Sequence, residues 1–297
     1  MDKMNILVSL TKGYGLGDAV QMSAVLRHVR KYRPHWEVHF QAEKGRESVG
    51  LDIAHRVFAY NEGPPTHYDA EIGIVLYDTF ANWPDRPNTR VVSCLREKFG
   101  IEWDPACARY WISVPREVGY AVQAAMAKWS SGRQSLSTRC VALHYQGDSA
   151  PDKKDLSDAQ AQRIVELIRA LGRYPLLLDW RGKNDRLKGA GRVVDPAHGG
   201  DAAWNCAVIS QCEAFVGIDS GPAKCASATE TPSLVVWTGH HPALFHDPAP
   251  NTTHLVPEGY SDNYPGVRDF FEREYNFRRY TADPVQEVEA WLKATLR

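Results

Sequence analysis

The segment Ala214-Phe215-Val216-Gly217-Ile218-Asp219-Ser220-Gly221-Pro222-Ala223-Lys224 carries the reading of the fold. Its first five residues form an apolar run, as in a strand buried on both faces. An Asp-Ser-Gly turn follows. Pro222 then suits the first turn of a short Ala-rich helix, where a missing N–H costs nothing. The N–H groups of Ser220 and Gly221 would point outward from that helix start. Such donors make a ready anion site, and pyrophosphate is the natural occupant. Asp219 reads as the residue that orients the loop, because a carboxylate beside phosphate repels it unless it bonds N–H or hydroxyl groups. A plain capped turn is the alternative reading. Lys224 sits two residues after Pro222, where a cation opposes the helix macrodipole. A bound phosphate would remove that conflict, and so would a nearby carboxylate such as Asp219.

The same alternation of apolar run, polar loop and helical stripe extends in both directions. Toward the C-terminus, Leu234-Val235-Val236 reads as a strand ending in Trp237-Thr238-Gly239-His240-His241-Pro242. That end lies on the same sheet edge as the Asp219 turn. The adjacent histidines suggest a metal at first sight, but neighbouring residues rarely face one site. His240 contacting phosphate or acceptor, and a structural role for both, stay open. Toward the N-terminus, Val141-Ala142-Leu143 and Leu176-Leu177-Leu178 read as strands flanking a helix with Ile164, Leu167, Ile168 and Leu171 on one face. Lys153 and Lys154 lie before that helix, which Ser157 or Asp158 can cap. They are either a solvated charge run or a cation for a phosphate in the cleft.

The first part of the chain repeats this grammar with other residues. Ile6 to Leu10 reads as a strand, Val38-His39-Phe40 as a second and Ile72 to Leu76 as a third. A helix with Met22, Val25, Leu26 and Val29 on one face ends at Pro34. The joining loop is Gly13-Tyr14-Gly15-Leu16-Gly17-Asp18. Its glycines allow a tight turn and close approach of a ligand. Three readings compete: a turn capped by Asp18, a dinucleotide loop, and a catalytic carboxylate at a cleft mouth. The second is weakened by GxGxG spacing and by the absence of a well-placed acid beyond Glu37 or Glu43. In the third, Asp18 accepts the proton of an attacking hydroxyl. Tyr77, Phe80 and Trp83 either line an acceptor groove or form a plain hydrophobic loop. The polar stretch Ser130–Thr138 marks the boundary between a unit over 1–132 and one over 138–265. A last helix over about 283–297 carries Val285, Val288, Leu292 and Leu296.

Composition bounds the function. The 297 residues suffice for two domains, and 43% are hydrophobic. The 35 Lys and Arg nearly balance 36 Asp and Glu, so nothing draws the chain to nucleic acid or an anionic membrane. Six dispersed cysteines without CxxC spacing read as core residues of a reducing compartment, not as zinc ligands. The apolar stretch at Asn5–Leu10 is too short for a signal sequence or a membrane span, so a cytoplasmic location is expected. Peripheral membrane contact stays open.

Taken together, Gly17-Asp18 at the first helix, Pro34 after it, Lys154, and Asp219-Ser220-Gly221-Pro222 through Ala226, Pro232 and Gly239 resemble glycosyltransferase family 9, the heptosyltransferase group. The resemblance implies a GT-B fold, two Rossmann-like α/β domains facing across a cleft. It places the acceptor in the first domain and a nucleotide-sugar donor in the second, with the last helix packed back on the first. It implies Asp18 as base, and Lys154 and the Ser220-Gly221 turn as diphosphate contacts. Two departures stand out: Lys224 where the family usually has His, and His240-His241-Pro242 where it usually has Pro-Thr-Asp-Pro. The expected reaction is an inverting sugar transfer to an acceptor hydroxyl without cofactor or metal, since the chain has no Asp-x-Asp element. A nucleotide-ligand binder without turnover and a nicotinamide-dependent oxidoreductase are the alternatives.

Overall fold

The computed structural model describes residues 3–11, 14–63, 67–76, 89–130, 139–178, 187–192, 201–260, 262 and 265–296. The strands are β1 (Met4–Leu10), β2 (Trp36–Ala42), β3 (Arg56–Ala59), β4 (Ala70–Ile74), β5 (Cys140–His144), β6 (Tyr174–Leu177), β7 (Gly191–Arg192), β8 (Ala214–Ile218), β9 (Ser233–Val236), β10 (Thr252–Pro257) and β11 (Asn276–Tyr280). The helices are α1 (Leu16–Tyr32), α2 (Arg90–Cys94), α3 (Arg116–Ser130), α4 (Pro151–Lys154), α5 (Asp158–Ala170), α6 (Ala202–Ile209), α7 (Gly221–Ser227), α8 (Pro242–Phe245), α9 (Pro265–Glu274) and α10 (Val285–Thr295). They build two parallel sheets, ordered β3-β2-β1-β4 and β11-β10-β9-β8-β5-β6-β7. In each sheet the order reverses beside the strand that leads into a glycine-containing loop, where ligands bind in open α/β folds.

The central strands follow from their apolar runs. All of β5, β8 and β9 is buried. Four strands escape the sequence pattern, among them the two-residue edge strand β7. Short β3 and charged β11 (Asn-Phe-Arg-Arg-Tyr) lie at sheet edges, where half-exposed backbone tolerates polar residues. In β10, Thr252, Thr253, His254 and Pro257 interrupt the apolar signal. Strand β11 also carries the second unit past residue 265, to Tyr280.

The predicted stripe of α1 (Met22, Val25, Leu26, Val29) is fully covered. Its other side is covered too. Gln21 is buried, and its Nε2 donates to Asp247 Oδ2 of the second unit at 3.2 Å. Helix α1 therefore lies between the two units. One hydrophobic cluster runs from Ile6, Val8 and Phe40 to Phe215, Val235 and Trp237. Helix α5 is capped by Ser157, not Asp158: Ser157 and Gln160 form a reciprocal capping box.

The last helix corrects an expectation. Val285, Val288, Trp291 and Leu292 of α10 join Ile164, Ile168, Val216 and Leu255 in a cluster of the second unit. The stripe of α10 meets the facing stripe of α5, so it stays with its own sheet instead of returning to the first. The helix that crosses is α3, which packs on α6 of the second unit; its Val122 and Met126 are buried. The boundary stretch 131–138 and Tyr77, Phe80 and Trp83 fall outside the described residues. All six cysteines are buried thiols, and burial pushes Cys94, Cys140 and Cys206 up to about 12. No described helix is long and apolar enough to cross a membrane.

Candidate active site

The loop after β1 ends at Gly15, which takes the N-cap position of α1 in an extended conformation. Asp18 is thus a first-turn residue, not the cap. A carboxylate there is favoured by the helix dipole. Its Oδ1 accepts a hydrogen bond from Arg90 Nη1 at 2.8 Å. Arg90 comes from the first turn of α2, 72 residues away, and is buried.

The turn after β8 sets Asp219 in the interior at 4% exposure. A carboxylate so sealed from water needs partners. Lys224 Nζ lies 3.4 Å from its Oδ1, Lys154 Nζ 3.4 Å from its Oδ2, and His240 Nδ1 3.0 Å from its Oδ2. Burial alone would raise the Asp219 carboxyl. The Lys224 charge, the His240 hydrogen bond and the Lys154 charge outweigh it and hold the group below the usual carboxylate range. Burial lowers the Lys224 ammonium, with the charges of Asp219 and Asp18 acting against it.

Glycines explain the close fit around this carboxylate. A Cβ on Gly239 would lie 3.0 Å from the Lys153 carbonyl oxygen, which also accepts a bond from Thr238 Oγ1 at 2.7 Å. This seats α4, and hence Lys154, against the end of β9. A Cβ on Gly221 would lie 2.7 Å from Leu16 Cβ. One on Gly17 would lie 3.2 Å from both Lys224 Cδ and Nζ. The starts of α1 and α7 therefore touch, bringing Asp18 of one unit beside Lys224 of the other. Ser220 caps α7: its hydroxyl accepts from the Ala223 N–H at 3.4 Å and donates to the Ile218 carbonyl at 3.1 Å. Any anion contact at Ser220 then falls to its backbone. Pro222 occupies the first turn, as its chemistry requires.

The two histidines diverge. His240 bonds Asp219 and stacks on Phe245, with ring centroids 4.5 Å apart and planes at 15°. His241 caps α8, its Nδ1 accepting from the Ala243 N–H at 3.1 Å, and burial pushes it down to about 4. The predicted residues Asp18, Lys154, Asp219, Ser220, Gly221, Pro222, Lys224, Gly239 and His240 form one neighbourhood, with Gly15 and Gly17 at its rim. Arg90 and Phe245 were not predicted. A signal existed for Arg90: it opens a helix as a cation, against the macrodipole, and so in want of an anion, whereas Lys224, expected in a first turn, falls in the last turn of the short α7. Thr89 before the apolar run marks that helix start, its Oγ1 accepting from the Val92 N–H at 3.2 Å.

Three basic side chains, Arg90, Lys154 and Lys224, here face two carboxylates, Asp18 and Asp219. Such a site can take up an anion and hold a carboxylate ready to accept a proton.

No family model and no curated protein matches the chain. Solved structures do. Escherichia coli ADP-heptose LPS heptosyltransferase II aligns over 99% of this chain and 98% of its own, with TM-score 0.69 and 11% identity. The glycosyl transferase family 9 protein from Veillonella parvula aligns over 86% of this chain and 88% of its own, with TM-score 0.66 and 12% identity. E. coli heptosyltransferase WaaC with ADP covers 91% of this chain and 100% of its own, with TM-score 0.57 and 13% identity. Two parallel α/β sheets, joined where α1 meets α7, thus give this chain the GT-B fold of the glycosyltransferase family 9 heptosyltransferases.

Proposed function

We propose that the chain is a glycosyltransferase that moves a sugar, heptose or a relative, from a nucleotide-activated donor to an acceptor hydroxyl. One observation carries this reading. The Asp18 carboxylate and the Lys224–Asp219–Lys154 cluster come from opposite units and meet where α1 touches α7. The fold and the structural neighbours, one of them holding ADP, support it.

In this reading the first unit presents the acceptor and the second binds the donor. The acceptor oxygen attacks the anomeric carbon as its proton passes to Asp18. The bond from that carbon to the diphosphate breaks, and the configuration inverts. Lys154, Lys224 and the Ser220-Gly221 backbone take up the charge of the departing nucleoside diphosphate. Gly239 and His240 shape the wall on that side. Side-chain cations take the role that a divalent ion fills elsewhere, so the reaction is proposed to need no metal and no cofactor.

A nucleotide-sugar panel tests this by thermal shift, followed by product detection with a range of acceptor glycans. One donor class should raise the melting temperature and be consumed at the same rate with and without EDTA. Saturable donor binding without turnover for any acceptor would make the protein a binder. Activity lost in EDTA and restored by Mg²⁺ or Mn²⁺ would overturn the metal-free mechanism.

A further inference from the structure

Arg90 reaches beyond its ion pair. Its guanidinium carbon lies 4.2 Å from the centroid of the Phe245 ring in the second unit, a cation–π contact. The same ring stacks on His240, and His240 bonds Asp219. A continuous series of contacts, Asp18–Arg90–Phe245–His240–Asp219, thus joins the carboxylate of the first unit to the cationic cluster of the second. Arg90 Nη1 binds Oδ1 of Asp18. Oδ2 lies on the side of Gly15, where a Cβ would stand 3.4 Å from it and the glycine puts no side chain against this oxygen.

We propose that Arg90 is the positioning residue for Asp18 and that Phe245, backed by His240, holds Arg90 in place. The base is then aligned only when the two units are packed together. This rests on the sugar-transfer reading. The physical ground is that a bound carboxylate rotates about two side-chain bonds unless one oxygen is fixed. A planar guanidinium, itself clamped by an aromatic face, fixes it better than a flexible ammonium can. The contact that clamps it belongs to the other unit, so separation of the units would release the carboxylate as well as admit water.

The test is steady-state kinetics and melting temperature of Arg90→Lys, Arg90→Ala, Phe245→Leu and the Arg90→Lys/Phe245→Leu double variant. Misplacing a reacting group by about 1 Å costs on the order of 10²-fold, so Arg90→Ala should lose about that much kcat and Arg90→Lys about 10-fold. Donor KM should stay within about twofold, because Arg90 touches the base and not the donor. Millimolar guanidinium should restore part of the Arg90→Ala rate, which a purely structural role would not allow. Phe245→Leu keeps the apolar volume but loses the π face. It should lower kcat, and the double variant should be little worse than Arg90→Lys alone. Unchanged kcat in Arg90→Lys, no rescue by guanidinium, or additive losses in the double variant would overturn the proposal. Failure of the sugar-transfer reading would show separately, as a wild-type protein that consumes no nucleotide sugar.

Discussion

Asp219 decides how Lys224 behaves. A carboxylate at 4% exposure with two lysine partners and a histidine hydrogen bond is stable because the partners are there, not because burial favours it. Removing one partner of a buried pair costs about 3–5 kcal/mol, and about half that is expected for Lys224→Ala because Lys154 and His240 remain. The melting temperature of the unliganded variant should therefore fall. If Lys224 also meets the donor diphosphate, calorimetric affinity for nucleoside diphosphate should drop by about 1.5–3 kcal/mol, the range for charged hydrogen bonds. A lower melting temperature with unchanged affinity would assign the lysine to Asp219 alone. Asp18→Asn asks the complementary question. The amide oxygen can still accept from Arg90, so the fold should hold, but it cannot take a proton. Turnover should fall by about 10²–10⁴-fold with donor affinity nearly constant, as measured by single-turnover assay and calorimetry. Near-normal turnover would remove Asp18 from the mechanism.

The contact between α1 and α7 is built from glycines that are not equivalent. Alanine at 221 would put its Cβ 2.7 Å from Leu16 Cβ, an atom tied closely to the backbone of α1. One element must then move, and overpacking of this kind costs about 1–3 kcal/mol. Alanine at 17 would lie 3.2 Å from the Lys224 chain end, which can swing aside, while replacing a helical glycine gains about 0.5–1 kcal/mol. Gly221→Ala should thus lower both melting temperature and turnover. Gly17→Ala should lower melting temperature less than Gly221→Ala, because the helix gain offsets part of the weakened Lys224–Asp219 contact, and still reduce turnover, because the ammonium it displaces belongs to the site. Equal melting temperatures for the two variants would show that α1 and α7 do not bear on one another as described.

Across the whole molecule, the shared cluster couples the two sheets, so thermal unfolding should be a single cooperative transition. Its pH dependence follows from histidines held neutral inside. Burial pushes His241 and His246 down to about 4, below the ordinary value of 6.5. Between those values the unfolded chain binds the protons and the folded one does not, so protonation favours unfolding. Stability should fall as pH drops from 6.5 toward 4, by about 1.4 kcal/mol per pH unit for each such histidine. Asp219, held below its ordinary value, adds stability that is present above that value and fades only at lower pH. Asp247, raised by burial, acts in the opposite sense over a window above 3.8 and offsets part of the slope. Melting temperatures recorded from pH 7.5 to 4.5 should decline through the histidine window. A flat profile there would mean that these rings are solvated or already charged.

Much of the architecture was written locally. The run Ala214–Ile218, the proline at 222, the stripe of α1 and the Ser157 cap each depend on residues within a few positions, so periodicity and capping chemistry expose them. The cluster around Asp219 was half legible for the same reason: an acid at the end of a buried strand requires a partner, and Lys224 lies only five positions on. What local pattern cannot encode is which surface an apolar stripe meets. The stripe of α10 announces that it will be covered, but not that α5 covers it. The polar face of α1 gives no sign that a second unit buries it. Asp18 and Arg90 pair across 72 residues because the first unit packs α2 against α1, and the Phe245 ring reaches Arg90 only because the second unit docks there. Edge strands β3 and β11 were hidden for a related reason: a strand held by backbone hydrogen bonds at a half-exposed rim needs no apolar run to mark it.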